Sequence, residues 1–169
     1  MRLKEMFDLF KKSKVAVIKT PLYSLADGEV IRIEQVNDSM FSEKMLGDGF
    51  SVKPITNDVF SPGTGVVTNI FPTKHAIGIR LENKIEILVH MGIDTVELQG
   101  NPYHINVKVG DKVTKDTLLG TMNIQEIIDA GKETDLIVVF PELKVDDSFT
   151  LNLTGNQKHG TKIGSVTLV

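Results

Sequence analysis

The sequence contains no cysteine, so disulfides and thiolate metal sites are excluded. This composition is compatible with a reducing cytoplasm. No run of about 18 apolar residues is present, and no segment is expected to span a membrane. The N-terminus also lacks the long apolar core of a secretory signal peptide. The formal net charge is only −3, which gives no argument for a nucleic-acid partner.

What the sequence does contain fits one soluble domain. Its 169 residues can bury a sizeable core, and 41% apolar with 24% charged residues is typical of a globular protein. Short segments rich in Val, Ile and Phe alternate with Gly, Pro, Asn and Asp, which predicts many short strands. The strands are predicted over 15–19, 29–33, 50–53, 65–70, 75–81, 85–91, 106–109, 136–140, 149–153 and 165–169. We therefore expect a mostly β fold, an antiparallel sandwich or barrel with one or two short helices.

One internal helix and a weak repeat complete the pattern. Asn123 is suited to cap a helix that carries Ile124, Ile127 and Ile128 on one face and stops at Gly131. The segments 27–33 and 64–70 resemble each other, and 109–113 is a looser copy. Each places Gly in a turn ahead of a β-branched strand. Shared hairpin chemistry and a duplicated unit both explain this likeness.

We expect the first fourteen residues to be an amphipathic or flexible segment, followed by a single domain over 15–169. Leu3, Met6, Phe7 and Phe10 follow helical spacing, and basic residues outnumber acidic ones. Such a short amphipathic helix can lie on an anionic membrane surface. It can equally be a frayed terminus or a helix packed on the domain.

Two histidines flank a predicted hairpin. A two-residue turn at Glu82–Asn83 would pair Leu81 with Lys84 and, counting outward, His75 with His90. Directly opposed residues have Cβ atoms roughly 4.5–5.5 Å apart. That register also assigns Ile77 to the histidine face of the hairpin. Two adjacent imidazoles can bind a metal, or one can act as a nucleophile supported by the other.

Residues near the pair suit both interpretations. Asp94 follows the second histidine and can hold a cationic partner or bias imidazole protonation. Thr73 lies two residues before His75 and can bond its ring. There is no phosphate-binding P-loop and no nucleophile elbow. The sequence lacks the H-E-x-x-H helix that is expected of a zinc hydrolase.

Three tracts closely resemble the glucose-type IIA component of the bacterial sugar phosphotransferase system. They are Phe71-Pro-Thr-Lys-His75-Ala followed by Val89-His-Met-Gly-Ile-Asp94-Thr-Val-Glu-Leu98, then 36–49, and then 107–113. The likeness covers roughly residues 20 to 145 in preserved order. It implies a β-sandwich with a duplicated motif and a phosphocarrier. The expected location is the cytoplasm, and the amphipathic pattern of the N-terminal segment adds a peripheral position at the inner membrane face as an option.

The resemblance also implies roles for the site residues. His90 would accept the phosphoryl group on Nε2 from phosphorylated HPr and pass it to a cysteine of the IIB domain of a sugar permease. His75 would contact the phosphoryl oxygens, Thr73 would orient His75, and Asp38 and Asp94 would face a basic residue of the donor. The apolar docking surface would comprise Met40, Phe41, Met45, Leu46, Phe71, Ile77, Leu88 and Val96.

No cofactor is expected to be required, and a monomer is the default expectation for the oligomeric state. Zinc held by His75 and His90 is a conditional ligand at a partner interface. Two other functions stay open from the residues: a regulatory binding module governed by phosphorylation state, and a zinc hydrolase on a related β scaffold.

Overall fold

The computed structural model describes residues 2–5 and 17–169. In this part of the chain, fourteen strands form three antiparallel sheets. The central sheet has eight strands in the order β13-β2-β3-β11-β7-β6-β5-β9. These strands are β2 (Gly28–Arg32), β3 (Asp48–Pro54), β5 (Gly65–Ile70), β6 (Ala76–Leu81), β7 (Glu86–Ile93), β9 (Lys112–Val113), β11 (Glu133–Phe140) and β13 (Gly155–Gln157).

Two three-stranded sheets pack against one face of the central sheet. One is β1-β14-β12, formed by Ile18–Tyr23, Lys162–Leu168 and Ser148–Leu151. The other is β4-β10-β8, formed by Asp58–Phe60, Leu118–Met122 and Tyr103–Ile105. Short helices are α1 (Ser39–Ser42) and α2 (Ile124–Asp129), with 3-10 turns at Ile33–Gln35 and Thr95–Leu98. None of the helices in the described ranges is long and apolar enough to cross a bilayer.

The mostly β class and the internal helix are confirmed. In α2, the Asn123 side chain accepts a hydrogen bond from the Glu126 N–H at 3.1 Å, and Gly131 follows the helix at φ +75°. The predicted strand over 106–109 is wrong, because Lys108 N–H bonds the Asp111 carboxylate at 3.0 Å and Gly110 turns the chain at φ +94°. The predicted helical stripe of Met6, Phe7 and Phe10 lies outside the described residues.

The two related segments occupy equivalent places in the central sheet. β2 and β5 each lie third from the boundary between β11 and β7, on opposite sides of it. Gly28 begins the pairing of β2 with β3, and Gly65 begins the pairing of β5 with β6. At both positions a Cβ would lie 2.1 Å from a carbonyl oxygen of the neighbouring strand. This symmetry favours the duplicated unit over shared hairpin chemistry.

The register predicted for the β6–β7 hairpin is wrong by one residue. Ala76, not His75, pairs with His90, because the loop has three residues and Lys84 takes the left-handed conformation at φ +73°. The Leu81 N–H bonds the Ile85 carbonyl at 2.8 Å and closes this loop. A one-residue shift moves every side chain to the other face. Ile77 is therefore fully buried in the main core and does not lie on the histidine face.

Two apolar clusters lie on opposite faces of the central sheet. The main core fills the space under the smaller sheets and includes Phe50, Val89 and Leu136. A second cluster, on the other face, lies under the segment that contains α1. Its buried members are Ile31, Ile33, Val36, Phe41, Ile93, Ile137 and Val139. His90 pairs with Ile137 across β7 and β11, which places the imidazole beside this second cluster.

The three-residue loop predicts an unusual response at Lys84. We expect Lys84→Gly to raise the free energy of unfolding by about 0.5–1 kcal/mol, since glycine removes the cost of a left-handed non-glycine residue but adds chain entropy. Lys19→Gly is the control because this lysine is also exposed but lies within β1. Lys19→Gly should lower the free energy of unfolding by roughly 0.5–1 kcal/mol. Urea unfolding measures both, and a destabilised Lys84→Gly protein would contradict the loop geometry.

Candidate functional site

Four aromatic rings form a continuous row at one end of β7. The rings of His75 and His90 have centroids 5.0 Å apart with an interplanar angle of 76°. Phe41 packs edge-on against His90 at 5.1 Å, and Phe71 packs edge-on against His75 at 5.5 Å. The two imidazoles are therefore neighbours, held from both sides by phenyl rings.

The pair forms although the two histidines are not directly opposed in the ladder. His90 lies within β7, whereas His75 precedes β6 and follows Lys74, which takes φ +58°. The His75 carbonyl accepts a hydrogen bond from the Met91 N–H at 2.7 Å. In the ladder between β6 and β7, the residue opposite His90 is Ala76, which has a small side chain. The turn before β6 can thus bring the His75 ring beside His90.

A hydrogen bond defines which nitrogen of His90 is protonated. His90 Nδ1 lies 2.8 Å from the Gly92 carbonyl oxygen. A carbonyl can only accept, so Nδ1 carries the hydrogen of the neutral ring. The Nε2 atom then keeps its lone pair and is the nitrogen available for bonding to an electrophile.

The second imidazole is held by a hydroxyl. Thr73 Oγ1 lies 2.5 Å from His75 Nδ1. The His75 residue is 7% exposed, and the ring has little freedom to turn away from this contact. A hydroxyl that donates to Nδ1 leaves the proton of His75 on Nε2, where it can be donated to an anion.

Burial keeps both rings uncharged near neutral pH. Loss of contact with water lowers the pKa of His90 from 6.5 to about 4, and the adjacent His75 adds to this decrease. The hydrogen bond to Gly92 and the carboxylates of Asp38 and Asp94 oppose the decrease without cancelling it. Burial also lowers the pKa of His75.

The two carboxylates reach the site from separate turns. Asp38 caps α1, and its side chain accepts a hydrogen bond from the Met40 N–H at 2.9 Å. Asp94 is exposed and takes the left-handed conformation at φ +57° directly after β7. Both carboxylates act on the charge state of His90, so the structure brings them into the same electrostatic environment as the imidazole pair.

Most of the expected docking residues are apolar side chains that are at least partly exposed. Met40, Met45 and Val96 are about half exposed or more, at 48%, 66% and 48%. Leu46, Phe71 and Leu88 are partly buried. Phe41 is only 5% exposed and supports His90 from within the second cluster. The exception is Ile77, which has no exposed surface.

The sequence reasoning missed the Gly92 carbonyl as the partner of His90. Gly92 takes φ +80°, and a Cβ at this position would lie 2.3 Å from Thr95 Cγ2. A glycine two residues after a candidate nucleophilic histidine was the available signal, but only backbone coordinates show where its carbonyl points.

The site offers at most part of a metal centre. Within residues 2–5 and 17–169, no three His, Cys, Asp or Glu side chains converge into a metal-binding group. A tetrahedral zinc ion needs four ligands, of which the two histidines could supply two.

Comparison with known proteins identifies the family. Residues 20–145 match the family described as "phosphoenolpyruvate-dependent sugar phosphotransferase system, EIIA 1". The glucose-specific EIIA component of Staphylococcus aureus is 35% identical over 163 residues, which cover 95% of this chain and 97% of the relative. The glucose-specific EIICBA component of Streptococcus pneumoniae is 45% identical over 147 residues. That match covers 87% of this chain but only 20% of the streptococcal protein.

A solved structure agrees with these sequence matches. The glucose permease IIA from Mycoplasma capricolum superposes with a TM-score of 0.78 at 32% identity, covering 88% of this chain and 96% of that chain. The shared architecture and the sequence match over most of the domain lead to one assignment. The chain belongs to the EIIA 1 family of the phosphoenolpyruvate-dependent sugar phosphotransferase system.

Proposed function

We propose that His90 Nε2 is the atom that carries the phosphoryl group in this phosphotransferase-system component. The family implies a phosphocarrier that receives its phosphoryl group from HPr and passes it toward a IIB domain. The observation that supports the assignment to His90 is its Nδ1–H bond to Gly92, because this bond frees Nε2 beside a second imidazole. The regulatory-module and zinc-hydrolase alternatives are not favoured by this family membership.

In the first step, the Nε2 lone pair attacks the phosphorus of phosphorylated HPr. A new N–P bond forms, the N–P bond of the donor breaks, and its electron pair returns to the donor nitrogen. The His90 ring keeps its Nδ1 proton and becomes cationic. The Gly92 carbonyl and the carboxylates of Asp38 and Asp94 stabilise this charge. Positioning and electrostatics are the main contributions that proteins make to phosphoryl transfer.

In the second step, a thiolate of the IIB domain attacks the same phosphorus. The N–P bond to His90 breaks, and its electron pair returns to Nε2. We assign His75 the role of donating its Nε2 hydrogen to the phosphoryl oxygens, with Thr73 holding the ring through Nδ1. The proposed permease is of the glucose type, in keeping with the names of the relatives.

The docking surface consists of the apolar side chains around the row of rings. Methionines adapt to partners of different shape, and Met40 and Met45 are the most exposed members on the α1 side. Asp38 and Asp94 would select a partner that presents a basic residue near His90. Ile77 is omitted from this surface because it is buried.

We propose a monomeric, cytoplasmic protein with a single domain over 15–169 that requires no cofactor for transfer. Zinc would be a partner-dependent ligand of His75 and His90. It would require both ring nitrogens that face the ion to be unprotonated.

A phosphorylation series tests the role of His90. With enzyme I, HPr and labelled phosphoenolpyruvate, we expect an acid-labile label on the wild type and none on His90→Gln. His75→Gln should accept the label but pass it to the IIB domain at least about tenfold more slowly, since one charge-assisted hydrogen bond is lost. His104→Gln, at an exposed position in β8, serves as the matched control and should behave as the wild type. Labelled His90→Gln would disprove the assignment.

The lowered pKa of His90 predicts a pH-dependent stability. Between about pH 6.5 and 4, the unfolded chain binds a proton at His90 that the folded chain does not, so the free energy of unfolding falls as the pH decreases. Above this window the ring is neutral in both states and the effect is absent. Urea unfolding across pH 4–7.5 should show a shallower decline for His90→Gln than for His104→Gln. Parallel curves for the two variants would contradict a buried, neutral His90.

The N-terminal segment has a separate test. Deletion of residues 1–14 should abolish binding to vesicles that contain anionic lipid while leaving phosphoryl acceptance intact, if the basic amphipathic stripe holds the protein at a membrane surface. Vesicle cosedimentation measures binding, and neutral vesicles are the control. Equal binding by the deleted and full-length proteins would rule out this anchor.

A further inference from the structure

The backbone of Met91, the residue that follows His90, is held by three hydrogen bonds. The Met91 N–H donates to the His75 carbonyl at 2.7 Å. The Met91 carbonyl accepts from the Thr95 hydroxyl at 2.6 Å and from the Tyr103 hydroxyl at 2.5 Å. All of these groups are secluded from solvent, since Met91, Thr95 and Tyr103 are 1%, 0% and 5% exposed.

These bonds bear on His90 through the geometry of the backbone. The Met91 carbonyl and the Gly92 N–H belong to one rigid peptide plane, so fixing the carbonyl fixes the start of Gly92. Gly92 takes φ +80°, and its own carbonyl oxygen is the acceptor for His90 Nδ1. The Thr95 methyl also fills the space that a Cβ on Gly92 would occupy, at 2.3 Å. The Gly92 carbonyl is thus aimed by a backbone that two hydroxyls and one methyl hold in place.

We propose that the hydroxyls of Thr95 and Tyr103 are positioning groups for His90, because they hold the Met91–Gly92 peptide so that the Gly92 carbonyl keeps the imidazole proton on Nδ1. The effect of this positioning on phosphoryl transfer rests on the proposed function of His90. The tautomer of His90 is a property of the unphosphorylated protein and can be measured without a phosphoryl donor.

The phenol of Tyr103 has a role that a hydrocarbon ring would not supply. Tyr103 comes from β8, in a different sheet from β7, and its side chain packs in the main core. Burial raises the pKa of Tyr103 to about 12, so the group remains a hydrogen-bond donor throughout the physiological range. A phenylalanine would fill the same volume but would leave the Met91 carbonyl with one hydroxyl donor fewer.

The tautomer of His90 is the property that should respond. An imidazole side chain in water prefers its proton on Nε2, and the Gly92 bond reverses this preference. Loosening the Met91–Gly92 peptide weakens that bond and increases the fraction of rings with the proton on Nε2. In those rings the transfer nitrogen has no free lone pair. The expected change in the tautomer ratio is about two- to tenfold, the range that corresponds to one ordinary hydrogen bond.

The test compares Tyr103→Phe with Tyr23→Phe, which removes the hydroxyl of the sequence's other tyrosine. Two-dimensional proton–nitrogen spectra of the histidine rings at neutral pH report the tautomer directly. We expect the wild type and Tyr23→Phe to show His90 protonated on Nδ1, and Tyr103→Phe to show an increased Nε2–H population. The label should then load about two- to tenfold more slowly onto Tyr103→Phe.

A second pair of variants separates the hydroxyl from packing. Thr95→Val keeps a methyl against Gly92 and loses the hydroxyl, whereas Thr95→Ser keeps the hydroxyl and loses the methyl. Thr95→Val should shift the His90 tautomer as Tyr103→Phe does, and Thr95→Ser should retain more of the wild-type ratio. Backbone amide spectra verify that each variant is folded.

The outcomes distinguish the two proposals. If Tyr103→Phe is less stable or slower but leaves the His90 tautomer unchanged, the hydroxyl only supports the core and the positioning role is overturned. If His90→Gln still accepts the label, the proposed function fails, yet a tautomer shift in Tyr103→Phe would continue to support the positioning role. A shift in Tyr23→Phe of the same size would also overturn it.

Discussion

The hydrogen bond from His90 Nδ1 to the Gly92 carbonyl is the interaction on which the site depends. Without this bond the neutral imidazole would favour the tautomer with its proton on Nε2. The row of aromatic rings would then present an N–H at that position instead of a lone pair. The bond can form because Gly92 takes a left-handed backbone conformation that a residue with a side chain would adopt only with strain. The end of β7 after His90 therefore sets the tautomer of the imidazole as well as leading into the next turn.

The electrostatics of the site result from a competition in which burial dominates. The carboxylates of Asp38 and Asp94 favour a cationic His90, but loss of water and the neighbouring His75 outweigh them and keep the free ring neutral. If His90 accepts a phosphoryl group as proposed, the balance changes, because an imidazole substituted on Nε2 and protonated on Nδ1 is cationic. In the proposed transfer the same carboxylates would stabilise the phosphorylated ring. Asp38 is half-buried and Asp94 is exposed, so both would also be accessible to a basic residue of the donor.

The sequence was informative where short-range chemistry decides the structure. Asn123 and Gly131 predicted both ends of the internal helix, and the β-rich composition predicted the fold class. The hairpin register was wrong because the sequence Glu82-Asn83-Lys84 carries no glycine to mark its left-handed residue; the fold holds Lys84 there at φ +73°. The hydrogen bond from the Tyr103 hydroxyl to the Met91 carbonyl could not be predicted from the sequence either, because Tyr103 lies in another sheet.

The wrong register nevertheless identified the right pair of histidines, and the structure shows why. Side-chain direction follows strictly from register only inside a ladder, and His75 lies in the turn just outside it. Within the ladder, the large side chains of His90 and Leu88 oppose the small Ala76 and Gly78. A β-branched residue at position 76 would compete with the His75 ring for the space beside His90. The small side chain of Ala76 opposite His90 is therefore compatible with the close approach of the two imidazoles.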